Sequence, residues 1–197
     1  MRRYLVGERI SLHGLRPEDL LPEAPYYGWL EDLSLDEFTE HSMFPNSVAR
    51  MREYYEESVR NTTRVLLGIY DNSSGSHIGN ITLQQINWVN RSASVAYLIG
   101  DRSFAGRGIA TEAVRMVMYY GFNRLNLERL HAGVSARHHA SRRVLEKSGM
   151  REEGRLRGAL LRNGERTDVI LFGGLRDEWL AELGDAVRGA FVVPPTY

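Results

Sequence analysis

Strand and helix signals follow one another in the order βααβββαβαββ, with one further helix at the end. They predict a mixed α/β unit of a single layered domain. Three observations carry this. The 197-residue length suits one domain. Short alternating segments bounded by turn residues give the strands. A long stretch with apolar residues three and four apart gives a central helix.

The first strand is read over Arg9–Leu15, where Ile10 and Leu12 alternate with polar neighbours. Pro17, Glu18 and Asp19 form a helical first turn, with proline early and acids favoured by the dipole. Residues 22–46 carry Pro22, Pro25, Gly28 and Pro45 and read as broken helix or loop. Ser47 is the N-cap of a helix reaching Arg60. Arg64–Tyr70 is apolar on both faces and reads as a central strand, and Asp71–Gly75 as a turn. His77–Ile86 and Ser92–Ile99 follow as strands, and Ala93, Val95, Tyr97 and Ile99 share one face of the second. The helix from Ile109 has the stripe Ile109, Ala113, Val117 and Gly121, with Ala110, Val114, Met118 and Phe122 beside it.

Leu127–Val134 is the next strand. Ser141–Lys147 is a short helix stopped by Gly149. Leu156–Leu161 and Asp168–Phe172 flank Asn163-Gly164, a hairpin signal. A last helix covers Arg176–Leu183. The expected organisation is one domain over residues 1–183 and a tail over 184–197.

Composition narrows the function classes. Twenty-five basic and 25 acidic residues balance, and the absence of cysteine excludes a disulfide scaffold, a thiolate metal site and a cysteine nucleophile. It also fits a reducing compartment. Charge arrives too early at the start for a secretory leader, and no apolar run reaches ~20 residues, so a cytoplasmic protein without a membrane span is expected. No metal site is expected. Residues 18–49 hold eight acids and no Lys or Arg, whereas residues 102–166 hold thirteen Arg and one Lys against six Glu. Those arginines are scattered over several elements without a nucleic-acid motif, so no nucleic-acid partner is expected.

The chemistry concentrates between Ile99 and Glu112, where a strand ends, a loop with Gly100, Gly106 and Gly108 follows, and an amphipathic helix starts. A helix N-terminus offers unpaired N–H groups and partial positive charge, and glycines let a phosphate come close to them. Arg107 can add a charge-assisted contact. The same glycines also serve a plain tight turn. A nucleotide P-loop would need Gly-Lys-Ser/Thr. A dinucleotide fingerprint would need a third glycine, where Thr111 stands, and an acid at a strand end, whereas Glu128 begins its strand.

The run Ala105-Gly106-Arg107-Gly108-Ile109-Ala110 resembles the acetyl-CoA loop Q/R-x-x-G-x-G/A of the GCN5-related N-acetyltransferase (GNAT) family, with Ala105 in place of Gln or Arg. Its extension through Thr111-Glu112-Ala113-Val114 looks like the RimJ/RimL-like subgroup, which includes ribosomal-protein alanine and spermidine acetyltransferases. Two further matches follow in order, Ala140–Met150 and Glu153–Arg157, the latter trailed by Asn163-Gly164 and Asp168. The resemblance covers about residues 8–182.

The resemblance implies the GNAT fold, a mixed and mostly antiparallel sheet flanked by helices and splayed between its fourth and fifth strands. It implies acetyl-CoA as co-substrate and direct attack by a primary amine in a ternary complex. Leu98 and Ile99 would supply the backbone N–H facing the thioester carbonyl, where the strand bulges. Residues 105–110 would hold the pyrophosphate, His138 would meet the pantetheine arm, and Ser141 would protonate the departing thiolate. Leu145 replaces the tyrosine that many relatives use as acid, and Ser94 replaces a common glutamate base, leaving Glu153 and His131 as candidate bases.

A homodimer is implied by resemblance alone. The acidic segment points to a cationic acceptor, a peptide N-terminus or polyamine, while an amino sugar or antibiotic stays open; capping and solvation of short helices would also explain those acids. Two other classes compete. One is an acetyl-CoA-binding sensor with reduced catalysis, suggested by Ser94 and Leu145. The other is a dinucleotide-dependent oxidoreductase.

Overall fold

The computed structural model describes residues 4–32 and 45–188. One eight-stranded sheet organises them: β1 (Leu5–Val6), β2 (Ile10–His13), β3 (Val65–Asp71), β4 (His77–Asn87), β5 (Ser92–Ile99), β6 (Arg129–Ser135), β7 (Arg151–Arg162) and β8 (Glu165–Leu175). Their order is β1-β2-β3-β4-β5-β6-β8-β7. Only β5 and β6 run parallel. That pair is joined by α3 (Ile109–Asn123), the crossover a parallel connection requires.

The β5–β6 pairing is short. Ser92 faces Arg129, Ala93 faces Leu130 and Ser94 faces His131, and there it stops. Both strands continue beyond it, so the sheet opens after Ser94. This is the predicted splay; the short strand β1 shifts its numbering from fourth and fifth to β5 and β6.

The helices cover both faces. On one, α3, α4 (His139–Lys147) and α5 (Arg176–Arg188) enclose the main core. The stripe read from the sequence is buried there, and so are Val114, Met118 and Phe122 beside it and Met116 on its flank, because α3 is also covered by α4 and α5; Ala110 and Tyr119 stay partly buried. On the other face, α1 (Pro25–Glu31) and α2 (Val48–Arg60) enclose a smaller cluster of Leu15, Leu20, Tyr26 and Met51. Trp29 and Tyr55 pack against it as half-buried aromatics.

Several sequence expectations shift. Pro17–Leu20 is a 3-10 turn, and Pro25–Glu31 is a regular helix inside the stretch read as broken. β7 and β8 run well past their predicted ends. Their turn is as expected, with Asn163 and Gly164 both at positive φ (49° and 81°). The last helix extends five residues beyond Leu183 because Val187 is buried in the core. The β4–β5 ladder shifts register at Gln84–Asn87, where Gln85 has φ 54°, and Ile99 stays in register with Gly79; the irregularity expected near Leu98 and Ile99 falls just past them, where Gly100 N and Asp101 N both donate to the Ile78 carbonyl. The part of the acidic segment that holds Asp36, Glu37 and Glu40, and the tail beyond residue 188, fall outside the described residues.

Candidate active site

The glycine-loop residues sit at the N-terminus of α3. Asp101 begins a 3-10 turn over Arg102–Phe104 by accepting from Ser103 N at 2.9 Å. The chain then passes Gly106 at φ 74° and reaches Gly108, the N-cap of α3, at φ 80° and ψ 0°. An L side chain at either position would be strained. Gly106 borders open space, and the first amides of α3 have no intrahelical partner. These residues therefore fit a phosphate-bearing ligand.

Two long-range contacts brace the loop. Arg9 Nη1 donates to the Arg107 carbonyl at 2.5 Å, and Arg9 N donates to Glu112 Oε1 at 3.0 Å. Glu112 thus ties α3 to the start of β2. Arg9 brings a second cation to the loop beside Arg107. Nothing in the local sequence announces it, because the two lie 98 residues apart.

At the opening of the sheet, Ile99 and Leu98 take opposite roles. The Gly100 amide bonds the Ile78 carbonyl at 3.0 Å, and Leu98 stands opposite Asn80 with its carbonyl against Gly79. Alternation along an antiparallel ladder therefore directs Leu98's backbone groups to β4 and those of Ile99 to the side that β6 has left. The Tyr97 side chain shares the core face with Ala93 and Val95. Across the opening it meets α4, with Tyr97 OH and Ser141 Oγ 2.8 Å apart. Burial pushes the Tyr97 phenol up to about 12 despite the Ser141 hydrogen bond. His138 is the N-cap of α4, its Nδ1 accepting from Ser141 N at 3.4 Å. Ile99, residues 105–110, His138 and Ser141 thus belong to the elements that border the opening, whereas the Leu98 amide is turned to β4 and cannot be the donor expected of it.

Glu153 does not join them. It ion-pairs through both carboxylate oxygens with Arg129, at 2.7 Å for one contact, and those hydrogen bonds hold its carboxyl below the usual range. Arg129 opens β6 at the closed end of the splay, whereas Ser141 follows the far end of that strand, ~20 Å along it. As a proton acceptor Glu153 is poorly placed and poorly tuned. Asp168 likewise pairs with Arg155 at 2.6 Å and accepts from Gly158 N at 2.7 Å.

His131 stands differently. It pairs in register with Ser94, at the last contact before the sheet opens. Its neighbours Leu130 and Ala132 are buried on the α3 side, so its imidazole lies on the opposite face. Burial, aided by Arg129, lowers its pKa below 6.5 although Glu153 pulls the other way.

The α1–α2 face also holds a buried polar cluster that sequence reading missed. The Tyr70 ring stacks on His13 at 3.7 Å and on His77 at 4.8 Å between centroids. Its hydroxyl donates to Asp19 Oδ2 at 2.5 Å, and Arg16 Nη2 donates to Asp19 Oδ1 at 2.9 Å. Burial pushes the Asp19 carboxyl up, but these donors outweigh it and the net shift is downward. His77 Nε2 lies 2.9 Å from the Gly79 carbonyl and therefore carries its proton there; burial keeps the ring neutral. Trp29 completes this face, its indole lying over Gly100 at the end of β5 so closely that any side chain at 100 would overlap the ring. Among the described residues no group of three or more His, Asp or Glu is arranged to hold a metal ion, and no helix is long and apolar enough to cross a membrane.

Comparison with known proteins places this architecture. The family model described as an acetyltransferase (GNAT) domain matches residues 9–151. The chain is 37% identical over 114 residues to the putative ribosomal N-acetyltransferase YdaF of Bacillus subtilis, covering 58% of this chain and 60% of that one. It is 32% identical over 108 residues to the spermidine N(1)-acetyltransferase of Escherichia coli K12, covering 55% and 58%. The matched stretch thus spans about three-fifths of the length of these relatives. A solved structure of a probable acetyltransferase superposes with a TM-score of 0.77 at 30% identity, over 87% of this chain and 96% of the other. With the splayed strand pair, the glycine loop capping α3 and the matched model over most of its length, this chain belongs to the GNAT acetyltransferase family.

Proposed function

We propose that this protein transfers the acetyl group of acetyl-CoA to a primary amine by direct attack in a ternary complex. The observation that carries the reading is the departure of β6 from β5 after Ser94, beside a glycine-capped helix N-terminus. The splay exposes one edge of β5, and the loop supplies amides and two arginines for the pyrophosphate. Ile99 N–H faces the opening and serves as donor to the thioester oxygen, where negative charge develops. Ser141 is the donor to the leaving sulfur. His131, neutral at pH 7 and at the closed end of the splay on the face opposite α3, accepts the ammonium proton through a chain of waters. Residues 105–110 and His138 contact the co-substrate.

The acceptor is read as cationic, a peptide N-terminus or a polyamine, from the acidic segment 18–49 and from relatives named for ribosomal and spermidine acetylation. The same reading gives a single catalytic domain whose end moves from the expected residue 183 to take in the whole last helix, acting in the cytoplasm as a homodimer.

Calorimetric titration with acetyl-CoA, coupled to a free-thiol assay over an amine panel, tests it. Wild type should bind and release thiol only with an amine present. Gly108→Asp, which strains the cap and places a carboxylate at the phosphates, should lose at least about tenfold in affinity while keeping its fold by circular dichroism. Unchanged affinity in a folded variant would move the site elsewhere. Binding without thiol release on any amine would favour the sensor reading.

A further inference from the structure

We propose that Tyr97 is a positioning residue for acetyl transfer: its hydroxyl donates to Ser141 Oγ and so aims the Ser141 hydroxyl proton at the thiol sulfur. This rests on the acetyl-transfer reading above. Tyr97 lies three residues past Ser94, on the part of β5 that no longer pairs with β6. Ser141 belongs to the first turn of α4, which follows β6. Their 2.8 Å contact therefore joins the two arms of the opening, along the edge where the thioester must lie.

The direction of the hydrogen bond follows from chemistry. Each hydroxyl has one proton to donate. A phenol, with pKa near 10, is a much stronger acid than an alkanol and the better donor, while its ring-conjugated oxygen is the weaker acceptor. Donation from Tyr97 to Ser141 is thus the favoured arrangement, and it leaves the serine proton free to point into the opening. Burial keeps the phenol protonated, so Tyr97 remains a donor throughout and is not itself an acid. In the step, the lone pair of the neutral amine forms the C–N bond, and the C–S pair leaves on sulfur under the Ser141 hydrogen bond. The nitrogen then releases the proton that the sulfur gains.

A thermodynamic cycle measured in single turnovers tests this, because it separates transfer from product release. Tyr97→Phe keeps the ring and removes only the hydroxyl. It should slow transfer about tenfold, the upper range for one lost hydrogen bond, with acetyl-CoA affinity and melting temperature unchanged. In a Ser141→Ala background the same change should cost less than about twofold. Ser141→Thr, which restores a hydroxyl, should restore the Tyr97 dependence. Equal losses in both backgrounds, a loss in affinity that matches the loss in rate, or a silent Tyr97→Phe would overturn the assignment while wild-type transfer stands. A wild type that transfers to no amine would overturn both this and the function on which it rests.

Discussion

At the residue scale, the chemistry depends on how burial and neighbours tune a few groups. His131 is the clearest case. Desolvation and the Arg129 charge both disfavour its protonated form, and Glu153 offsets them only in part. Its pKa is therefore below 6.5, and the basic form dominates at neutral pH. The sign follows: activity that needs neutral His131 is complete above pH 6.5 and falls as acid protonates the ring. We expect a log(kcat/KM) profile with an acid limb of unit slope below that pH, and loss of that limb in His131→Gln with a rate reduced by roughly 10²-fold. The acceptor's own ionisation adds a limb that shifts with the amine used, so two amines of different pKa identify which limb belongs to the protein. A limb unchanged in the variant would remove His131 as base. Glu153 illustrates the opposite tuning, since its ion pair with Arg129 lowers its pKa and makes it a weaker base.

At the scale of elements, the site depends on helices held by contacts distant from it. α4 carries His138 and Ser141, and its C-terminus is fixed by α5. Trp179 of α5 is fully buried, donates from Nε1 to the Ser148 carbonyl at 2.8 Å, and lies against Phe122 of α3 with centroids 5.5 Å apart. One side chain thus joins α3, α4 and α5. Trp179→Ala removes that packing and leaves the Ser148 carbonyl unpaired, at an expected cost of about 3–5 kcal/mol. Urea titration reads this as a lower midpoint at constant slope. A loss below about 1 kcal/mol would mean that α5 docks by other contacts. β7 and β8 offer a different lesson. Glu and Arg dominate β7 and hide it from an apolar-alternation reading, yet the hydrogen-bond ladder to β8 extends it from Arg151 to Arg162. Its place at the sheet edge lets polar side chains on both faces reach water.

At the scale of the whole molecule, charge separates along the chain. The segment 18–49 is acidic and the stretch 102–166 is rich in arginine. An acidic rim raises the local concentration of cations and speeds their arrival, an effect that salt screens. If that rim serves the acceptor, kcat/KM for the best cationic amine should fall several-fold between low and high ionic strength. Asp36→Asn with Glu37→Gln should flatten that dependence. A salt-independent rate, or a preference for an anionic acceptor, would leave those acids as solvated surface. The buried polar cluster of the α1–α2 face works in another way. Asp19, Tyr70 and His77 lie 51 to 58 positions apart along the chain or adjoin through β4, and they support Trp29 above Gly100.

What could be read from the sequence is what adjacent residues decide. The glycine loop, the amphipathic helix after it and the Asn163-Gly164 turn are local, because positive-φ positions and a 3.6-residue period are written in consecutive residues. Ser47 as a helix cap belongs with them, its hydroxyl accepting from Arg50 N at 3.2 Å. Tyr97 was equally visible, yet it read as one more member of an apolar strand face. Its partner Ser141 is 44 residues away, and only the packing of α4 across the splay brings the two hydroxyls together. Arg9 at the loop and the His13–Tyr70–His77 stack were hidden for the same reason. Strand order and register bring such residues together, and they are set by burial summed over the whole sheet. The sequence by itself therefore determined the glycine loop and the helix it caps, and the tertiary structure decided which distant side chains meet beside them, because a backbone turn is a local property and a contact between distant side chains is not.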